Sequence, residues 1–264
     1  MLCILLITLS IIAPFITVHD SKMPDLGESL KPPQYFSKGW SGYVLGTDNL
    51  GRDILTRLLI GSRYSFIIAA TSVIFSIFLG TITGIYAGYY GGWIDNLFMR
   101  FADIQLSIPP LLLAISIVAV LGPSIINLII VLFITSWPKI ARLARSKVLI
   151  VREREFISAS RVLGAGDNWI MFSQILPNIV NSLLIVASQL FGNLILWEAA
   201  LSFLGLGVQP PTPSWGVMIG DGRNYLVTAP WIILTPGIAL MIAVLAANFI
   251  GDGLRDALDP KMKA

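Results

Sequence analysis

Residues 66–86 read FIIAATSVIFSIFLGTITGIY, and this stretch decides the fold. It contains no charged residue and no proline from its first position to its last. An α-helix needs about 20 consecutive apolar residues to cross the hydrocarbon core of a bilayer. The stretch therefore predicts a transmembrane helix, and the rest of the chain is interpreted around it.

Further apolar runs of comparable length lie on both sides of this stretch. Only 12% of the residues are charged and the mean hydropathy is +0.79, whereas a soluble domain carries about 25% charged residues. The sequence thus predicts an all-α polytopic membrane protein with six transmembrane helices. The fourth run is short and is expected to end before Pro138. The predicted spans are residues 2–18, 66–86, 104–121, 124–137, 183–204 and 231–250.

Lys and Arg are denser on one side of the predicted membrane. They concentrate between the fourth and fifth spans, and cytoplasmic loops are the ones that carry such an excess. We therefore expect this loop and both termini to lie in the cytoplasm. The net charge of +3 has the same explanation, so it does not predict nucleic-acid binding. The basic residues assigned to this side are Arg100, Lys139, Arg142, Arg145, Lys147, Arg152, Arg154, Arg161, Arg255, Lys261 and Lys263.

Several kinds of chemistry are excluded by what the sequence lacks. Its single cysteine, Cys3, and single histidine, His19, cannot form a disulfide within the chain or a Cys/His metal site. The phosphate-binding pattern GxxxxGK[ST] is absent, as are HExxH and GxSxG. We expect no catalytic residue, no metal and no cofactor in this chain.

Three glycines repeat every four residues within the decisive stretch and just beyond it: Gly80, Gly84 and Gly88. Small residues at this spacing let two helix backbones approach closely in a membrane. The pattern predicts a helix-packing face. A hinge is the alternative that the spacing leaves open.

Charged residues near the outer ends of the last two spans are candidates for a solute path. Glu198 is the one acidic residue inside an apolar span, and such residues usually face a cavity or a partner. Asp221 and Arg223 follow in the next outer segment. For Glu198, a structural hydrogen bond to a neighbouring helix, or a place at the water interface, is the alternative.

The basic loop at residues 138–178 is predicted to contain two helices. The first is expected over 152–163 and is broken by Gly164 and Gly166. The second is expected over 169–176, capped by Asp167 or Asn168 and ended by Pro177. A short helix here could dock a partner or rest on lipid headgroups, and the pattern alone does not decide between them.

One motif in this loop carries a family resemblance. The string SASRVLG at 158–164, followed by ILPN at 175–178, resembles the EAA loop of ABC importer permeases. Two positions depart from that motif, with Ser158 in place of the family Glu and Gln174 in place of the first Ile. The resemblance implies an ATPase-coupling loop that uses Ser158, Ala159, Ser160, Arg161, Gly164, Leu176 and Pro177.

Three other strings narrow the resemblance. They are LGTDNLGRD at 45–53, SFLGLGVQPPTPSWG at 202–216 and GDGLRD at 251–256, and they resemble the second permease of the dipeptide, oligopeptide and nickel importers. The resemblance implies a type I ABC importer permease fold in a prokaryotic cell membrane. It divides the chain into a first span at 1–18, an extracytoplasmic loop with a pre-core segment at 19–65, a permease core at 66–250 and a cytoplasmic tail at 251–264.

The resemblance also implies partners and a mechanism. The partners are two ATP-binding subunits, which hold ATP and Mg²⁺, a second homologous permease and an extracytoplasmic solute-binding protein. The chain would form half of a translocation path for di- and oligopeptides by alternating access. The Gly- and Pro-rich segment 205–216 is stiff and non-helical, and it is expected either to face the binding protein or frame the outer gate, or to be a mere connector. Import of nickel, a metal chelate or glutathione by the same architecture is the alternative. An ATP-independent channel or carrier is a different class, and it would transport without partners.

Overall fold

The computed structural model describes residues 20–36 and 42–258, and this part of the chain is built from helices. Short 3-10 turns occupy Leu26–Glu28, Gln34–Phe36 and Arg223–Tyr225. The predicted first span, 2–18, lies outside the described residues. The helices are α1 (Ile54–Tyr90), α2 (Gly92–Leu106), α3 (Pro110–Leu121), α4 (Ile125–Val151), α5 (Glu155–Val162), α6 (Asp167–Phe203), α7 (Trp215–Gly222) and α8 (Trp231–Leu258).

Four of the helices within the described ranges are long and apolar enough to cross a membrane: α1, α4, α6 and α8. The predicted spans 66–86 and 231–250 lie inside α1 and α8, and the span 183–204 lies inside α6 except for its last residue. Helices α2 and α3 together make a fifth crossing if their pair, bent by 90°, is counted as one. The all-α membrane fold expected from the sequence is confirmed.

The third predicted span, 104–121, is wrong as a single straight helix. Helix α2 ends at Leu106 and α3 begins at Pro110. Two successive prolines explain the break, because a proline disfavours helical geometry in the residue before it. Pro109, which precedes Pro110, accordingly has an extended ψ of 126°. Pro110 itself fits the first helical position, where no backbone N–H is needed.

The fourth predicted span was wrongly expected to end before Pro138, because α4 continues through it to Val151. A proline inside a helix frees the carbonyl four residues earlier, which here belongs to Ile134. The side-chain amide of Gln105 donates a hydrogen bond to that carbonyl, and its oxygen accepts one from Trp137 Nε1 at 3.1 Å. A neighbouring helix thus satisfies the group that the proline leaves free, and α4 does not stop.

The three glycines of α1 lie against α4. A Cβ atom on Gly80 would stand 2.7 Å from the Trp137 carbonyl oxygen, and one on Gly84 would stand 2.5 Å from that of Ala141. A Cβ on Gly88 would meet the Val148 side chain at 2.8 Å. Any side chain at these positions would push the two helices apart. The geometry favours the packing interpretation over the hinge.

The second loop helix is longer than predicted. It does not end at Pro177: α6 begins at Asp167 and runs without a break to Phe203. Its residues Ile170–Ile175 form wider, π-helical turns. Pro177 lies just after these wider turns, as the second residue of the regular α-helical part. The predicted cap is also wrong, because Gly166 is the N-cap and no side chain caps the helix.

Candidate functional site

The loop between α4 and α6 carries the motif singled out in the sequence. Helix α5 holds Ser158, Ala159, Ser160 and Arg161, and only Ile157 of this helix is buried. Leu176 and Pro177 lie further along, in the first regular turns of α6. The structure therefore brings the first four together on one exposed short helix, with Gly164 directly after it.

Gly164 closes α5 through its backbone conformation. Its φ of +86° lies in the left-handed region, and no atom stands within 4 Å of a Cβ placed there. The N–H of Gly164 donates to the Arg161 carbonyl at 3.1 Å, and that of Ala165 donates to the Ser160 carbonyl at 3.0 Å. This is the Schellman arrangement, which ends a helix with a residue that is usually glycine. The constraint at Gly164 is conformational and does not come from crowding.

Helix α5 is attached to α6 but leaves a large apolar tip exposed. Ser160 Oγ accepts a hydrogen bond from Gln174 Nε2 at 2.6 Å, so Gln174, one of the two departures from the family motif, contacts the helix that carries the other. Val162 and Leu163 are each 87% exposed. Exposed apolar side chains next to each other mark a surface for contact with another protein or with the membrane.

The opposite end of the molecule holds a network of charged groups. Arg52 Nε donates to Asp48 Oδ2 at 2.7 Å, and Arg57 Nε lies 3.4 Å from the same oxygen. Asp221 Oδ2, on α7, lies 3.4 Å from Arg52 and 3.5 Å from Arg57. Burial raises the pKa of Asp221, and the arginines Arg57 and Arg52 oppose that shift. We call Asp48, Arg52, Arg57 and Asp221 the outer charge network.

Asp221 and Arg223 line one open cavity of about 440 Å³ beside this network. The cavity lies between the end of α6, the segment after it and α7, and Asn49 contributes to its wall. Two of the three residues suggested for a solute path thus border the same space. The sequence analysis did not assign Arg52 and Arg57 to this site. Two arginines at the start of a long apolar helix are a usable signal, because buried charges of this kind pair with acidic residues.

Glu198 does not border that cavity. It has no exposed surface, and its carboxylate accepts hydrogen bonds from Ser65 Oγ and Ser202 Oγ, each at 2.7 Å. Ser202 Oγ in turn accepts from the Val208 N–H at 3.1 Å. The side chain joins α1, α6 and the segment after α6. This geometry favours the structural alternative over a path-lining role.

Residues 20–36 and 42–258 contain no group of three or more His, Cys, Asp or Glu side chains that could hold a metal ion. The acidic residues in the outer charge network are paired with arginines instead.

Comparison with protein families identifies the chain's class. The family model of the binding-protein-dependent transport system inner membrane component matches residues 80–264. The chain belongs to this family. Its members are ABC transporter permeases, which are non-catalytic membrane subunits that work with an ATP-binding subunit, and the chain is a multi-pass membrane protein of this kind.

Curated relatives agree along nearly the whole length. The chain is 44% identical over 260 residues to the di/tripeptide transport system permease protein DppC of Pseudomonas aeruginosa, covering 98% of this chain and 86% of that one. It is also 44% identical over 224 residues to the glutathione transport system permease protein GsiD of Pectobacterium atrosepticum, covering 85% of this chain and 74% of the relative.

A solved structure shares the fold. It is the MetNI methionine ABC transporter in an inward-facing conformation, with a TM-score of 0.62, 22% sequence identity, and coverage of 78% of this chain and 98% of the matched one. The predicted ABC permease fold is confirmed.

Proposed function

We propose that this permease takes part in ATP-driven import of di- and oligopeptides and forms half of the translocation path. The relatives named for dipeptide transport, at 41–45% identity, support this cargo. The observation that carries the mechanism is the exposed helix α5 with its glycine-closed end. A helix presented in this way suits docking onto a separate subunit that supplies motion.

The proposed partners are two ATP-binding subunits, a second homologous permease and an extracytoplasmic solute-binding protein. ATP and Mg²⁺ would bind to the ATP-binding subunits, which would carry out hydrolysis, and this chain would need no cofactor. The exposed Val162 and Leu163 support a protein partner for the loop. Lipid headgroups are the competing surface, and α5 would then remain membrane-bound without ATP-binding subunits.

We also propose that the loop end lies in the cytoplasm of a prokaryotic cell, as do both termini. The density of Arg and Lys in and before the loop supports this orientation. The outer charge network and its cavity would then face the outside, where a solute arrives from the binding protein. Asp221 and Arg223 are proposed to line the entrance of the path. Glu198 is left out because it is fully buried.

The Gly164→Val substitution tests the coupling role. A β-branched residue is strained at a φ of +86°, so the end of α5 must rearrange. We expect ATP-driven peptide uptake by the reconstituted importer to fall at least about tenfold, because a cost of 1–2 kcal/mol or more opposes the docked geometry. Membrane insertion should be unchanged.

Gly166→Val is the matched control. Gly166 has a φ of −72° and a ψ of 153°, which valine adopts readily, and a Cβ there meets nothing within 4 Å. Uptake by this variant should stay near that of the unchanged protein. Normal uptake by Gly164→Val, or equal losses in both variants, would contradict the coupling role.

Glutathione import is the second candidate, supported by the 44% identity to the glutathione permease. Both cargoes are peptides, so the same path chemistry would serve them. Competition between a labelled dipeptide and glutathione for uptake by the assembled importer separates the two.

A further inference from the structure

Among the described residues, the segment between α4 and α6 makes side-chain contacts with the last turn of α1 as well as with α6. Tyr89 OH donates a hydrogen bond to Asp167 Oδ1 at 2.7 Å. The Arg161 guanidinium lies 5.7 Å from the centre of the Tyr89 ring. Arg152 Nη1 donates to the Gly88 carbonyl at 2.7 Å. Three side chains, from the end of α4, from α5 and from the start of α6, therefore converge on two successive residues of α1.

Tyr89 contacts both sides of the Gly164 turn. Arg161 belongs to the last turn of α5, before Gly164, and Asp167 is the first residue of α6, after it. The Tyr89 side chain is buried among them, with 9% of its surface exposed. A hydrogen bond from a hydroxyl to a carboxylate is stronger than a hydrogen bond between two neutral groups. The carboxylate also lies at the amino end of a long helix, where negative charge is favoured.

Helix α1 extends from this contact to the other end of the molecule. Its 37 residues span about 55 Å at 1.5 Å per residue. Close packing against α4 along its glycines supports it on one side. Near its first turns, Arg57 reaches Asp221 of α7, and the Leu58 carbonyl accepts a hydrogen bond from Trp215 Nε1 at 3.1 Å.

We infer that Tyr89 and Asp167 are positioning residues for transport, which attach the coupling loop to α1 so that loop motion enters α1 as well as α6. This inference rests on the proposed function. The motion would reach α7 through the contacts at the far end of α1. Helix α6 is covalently continuous with the loop, whereas α1 depends on side-chain contacts, so the second connection can be removed without cutting the first.

The experiment measures peptide taken up per ATP hydrolysed by the complete importer in proteoliposomes. Tyr89→Phe removes the donor hydroxyl and keeps the ring beside Arg161. Asp167→Ala removes the acceptor. Each single variant should lower the ratio about fivefold or more, with basal ATP hydrolysis unchanged. The double variant should be no worse than the poorer single one, because both substitutions break the same bond.

Tyr86→Phe is the control. Tyr86 lies one turn earlier on α1 and packs its ring against Phe172, and no hydrogen bond of its hydroxyl is found among the described residues. Its ratio should equal that of the unchanged protein.

Two results would overturn the inference. One is a ratio equal to that of the unchanged protein in either single variant. The other is a double variant whose loss equals the product of the two single losses, since that would mean that the residues act separately. If the unchanged protein and Tyr86→Phe also fail to couple uptake to ATP hydrolysis, the proposed function itself is wrong.

Discussion

At the residue scale, the proline inside α4 shows how one side chain decides whether a helix continues. Pro138 removes a backbone hydrogen bond, and Gln105 restores a partner to the freed Ile134 carbonyl. The same amide accepts from the Trp137 indole. Both groups would otherwise be unsatisfied in a partly buried place, which costs about 1–3 kcal/mol each.

Gln105→Leu should therefore lower the unfolding free energy by about 2–6 kcal/mol, about 1–3 kcal/mol for each of the two groups, because leucine fills the space and bonds neither group. The loss is measured by unfolding in detergent micelles. In a Pro138→Ala background, the alanine N–H can bond the Ile134 carbonyl within α4, so the same substitution should cost less. If Gln105→Leu costs the same with and without Pro138, Gln105 does not compensate for the hydrogen bond that the proline removes.

Residue patterns predicted some site features and missed others for a physical reason. Gly164 could be found because a left-handed turn needs glycine, and that requirement is local. The Tyr89–Asp167 hydrogen bond joins residues 78 positions apart, and the local sequence around either residue does not indicate its partner. Glu198 was correctly singled out as unusual, but its serine partners on two elements became visible only in the fold.

At the element scale, the pairing of α1 with α4 depends on small side chains. The two backbones approach so closely at Gly84 that an added methyl group would collide with the Ala141 carbonyl. Hydroxyls add to the contact, since Ser72 Oγ and Ser76 Oγ donate to carbonyls of α4 at 3.3 Å. In a membrane such close packing and hydrogen bonds between helices replace the hydrophobic effect.

Gly84→Ala should destabilise the folded protein by about 1–3 kcal/mol, because the new methyl group would force α1 away from the Ala141 carbonyl of α4. Gly237→Ala is the matched control within α8, where a Cβ meets nothing within 4 Å. There, alanine should be neutral or stabilising by up to about 1 kcal/mol, because it lowers the conformational entropy of the unfolded chain. Thermal unfolding of both variants in the same detergent compares them, and equal shifts would refute the packing role.

Helix positions followed from the apolar runs, but helix ends did not. The hydrocarbon thickness fixes how long an apolar run must be, so α1, α6 and α8 could be located from composition. Proline was taken as an end signal at both 138 and 177. At the first it fails because another helix supplies a donor, and at the second because wide turns precede it. Both reasons are contacts or turns that sequence periodicity does not report.

At the scale of the whole molecule, the outer charge network joins the segment before α1 to α7. Two carboxylates balance two guanidiniums, and Arg57 also donates to the Ser21 carbonyl at 3.1 Å. Because Arg57 is only 2% exposed, these partners, and not water, stabilise its positive charge. Removing one member of a buried pair leaves an uncompensated charge, which is strongly destabilising.

Asp221→Asn should lower the unfolding free energy by about 1–3 kcal/mol, less than for a fully buried pair because Asp221 is 31% exposed in its side chain. The double variant Arg57→Met/Asp221→Leu leaves Arg52 paired with Asp48 and should recover part of the loss. Asp252→Asn, at an exposed position of α8, is the control. A double variant less stable than Asp221→Asn would contradict the charge-balance account.

The unbroken course of α6 has a mechanical meaning. A rod of 37 helical residues is about 55 Å long, so a tilt of one degree at the loop displaces its far tip by about 1 Å. A rotation of a few degrees, too small to disturb local bonds, amounts at the outer surface to the width of an atom or more. If α6 tilts as one body, its length alone would amplify the rotation.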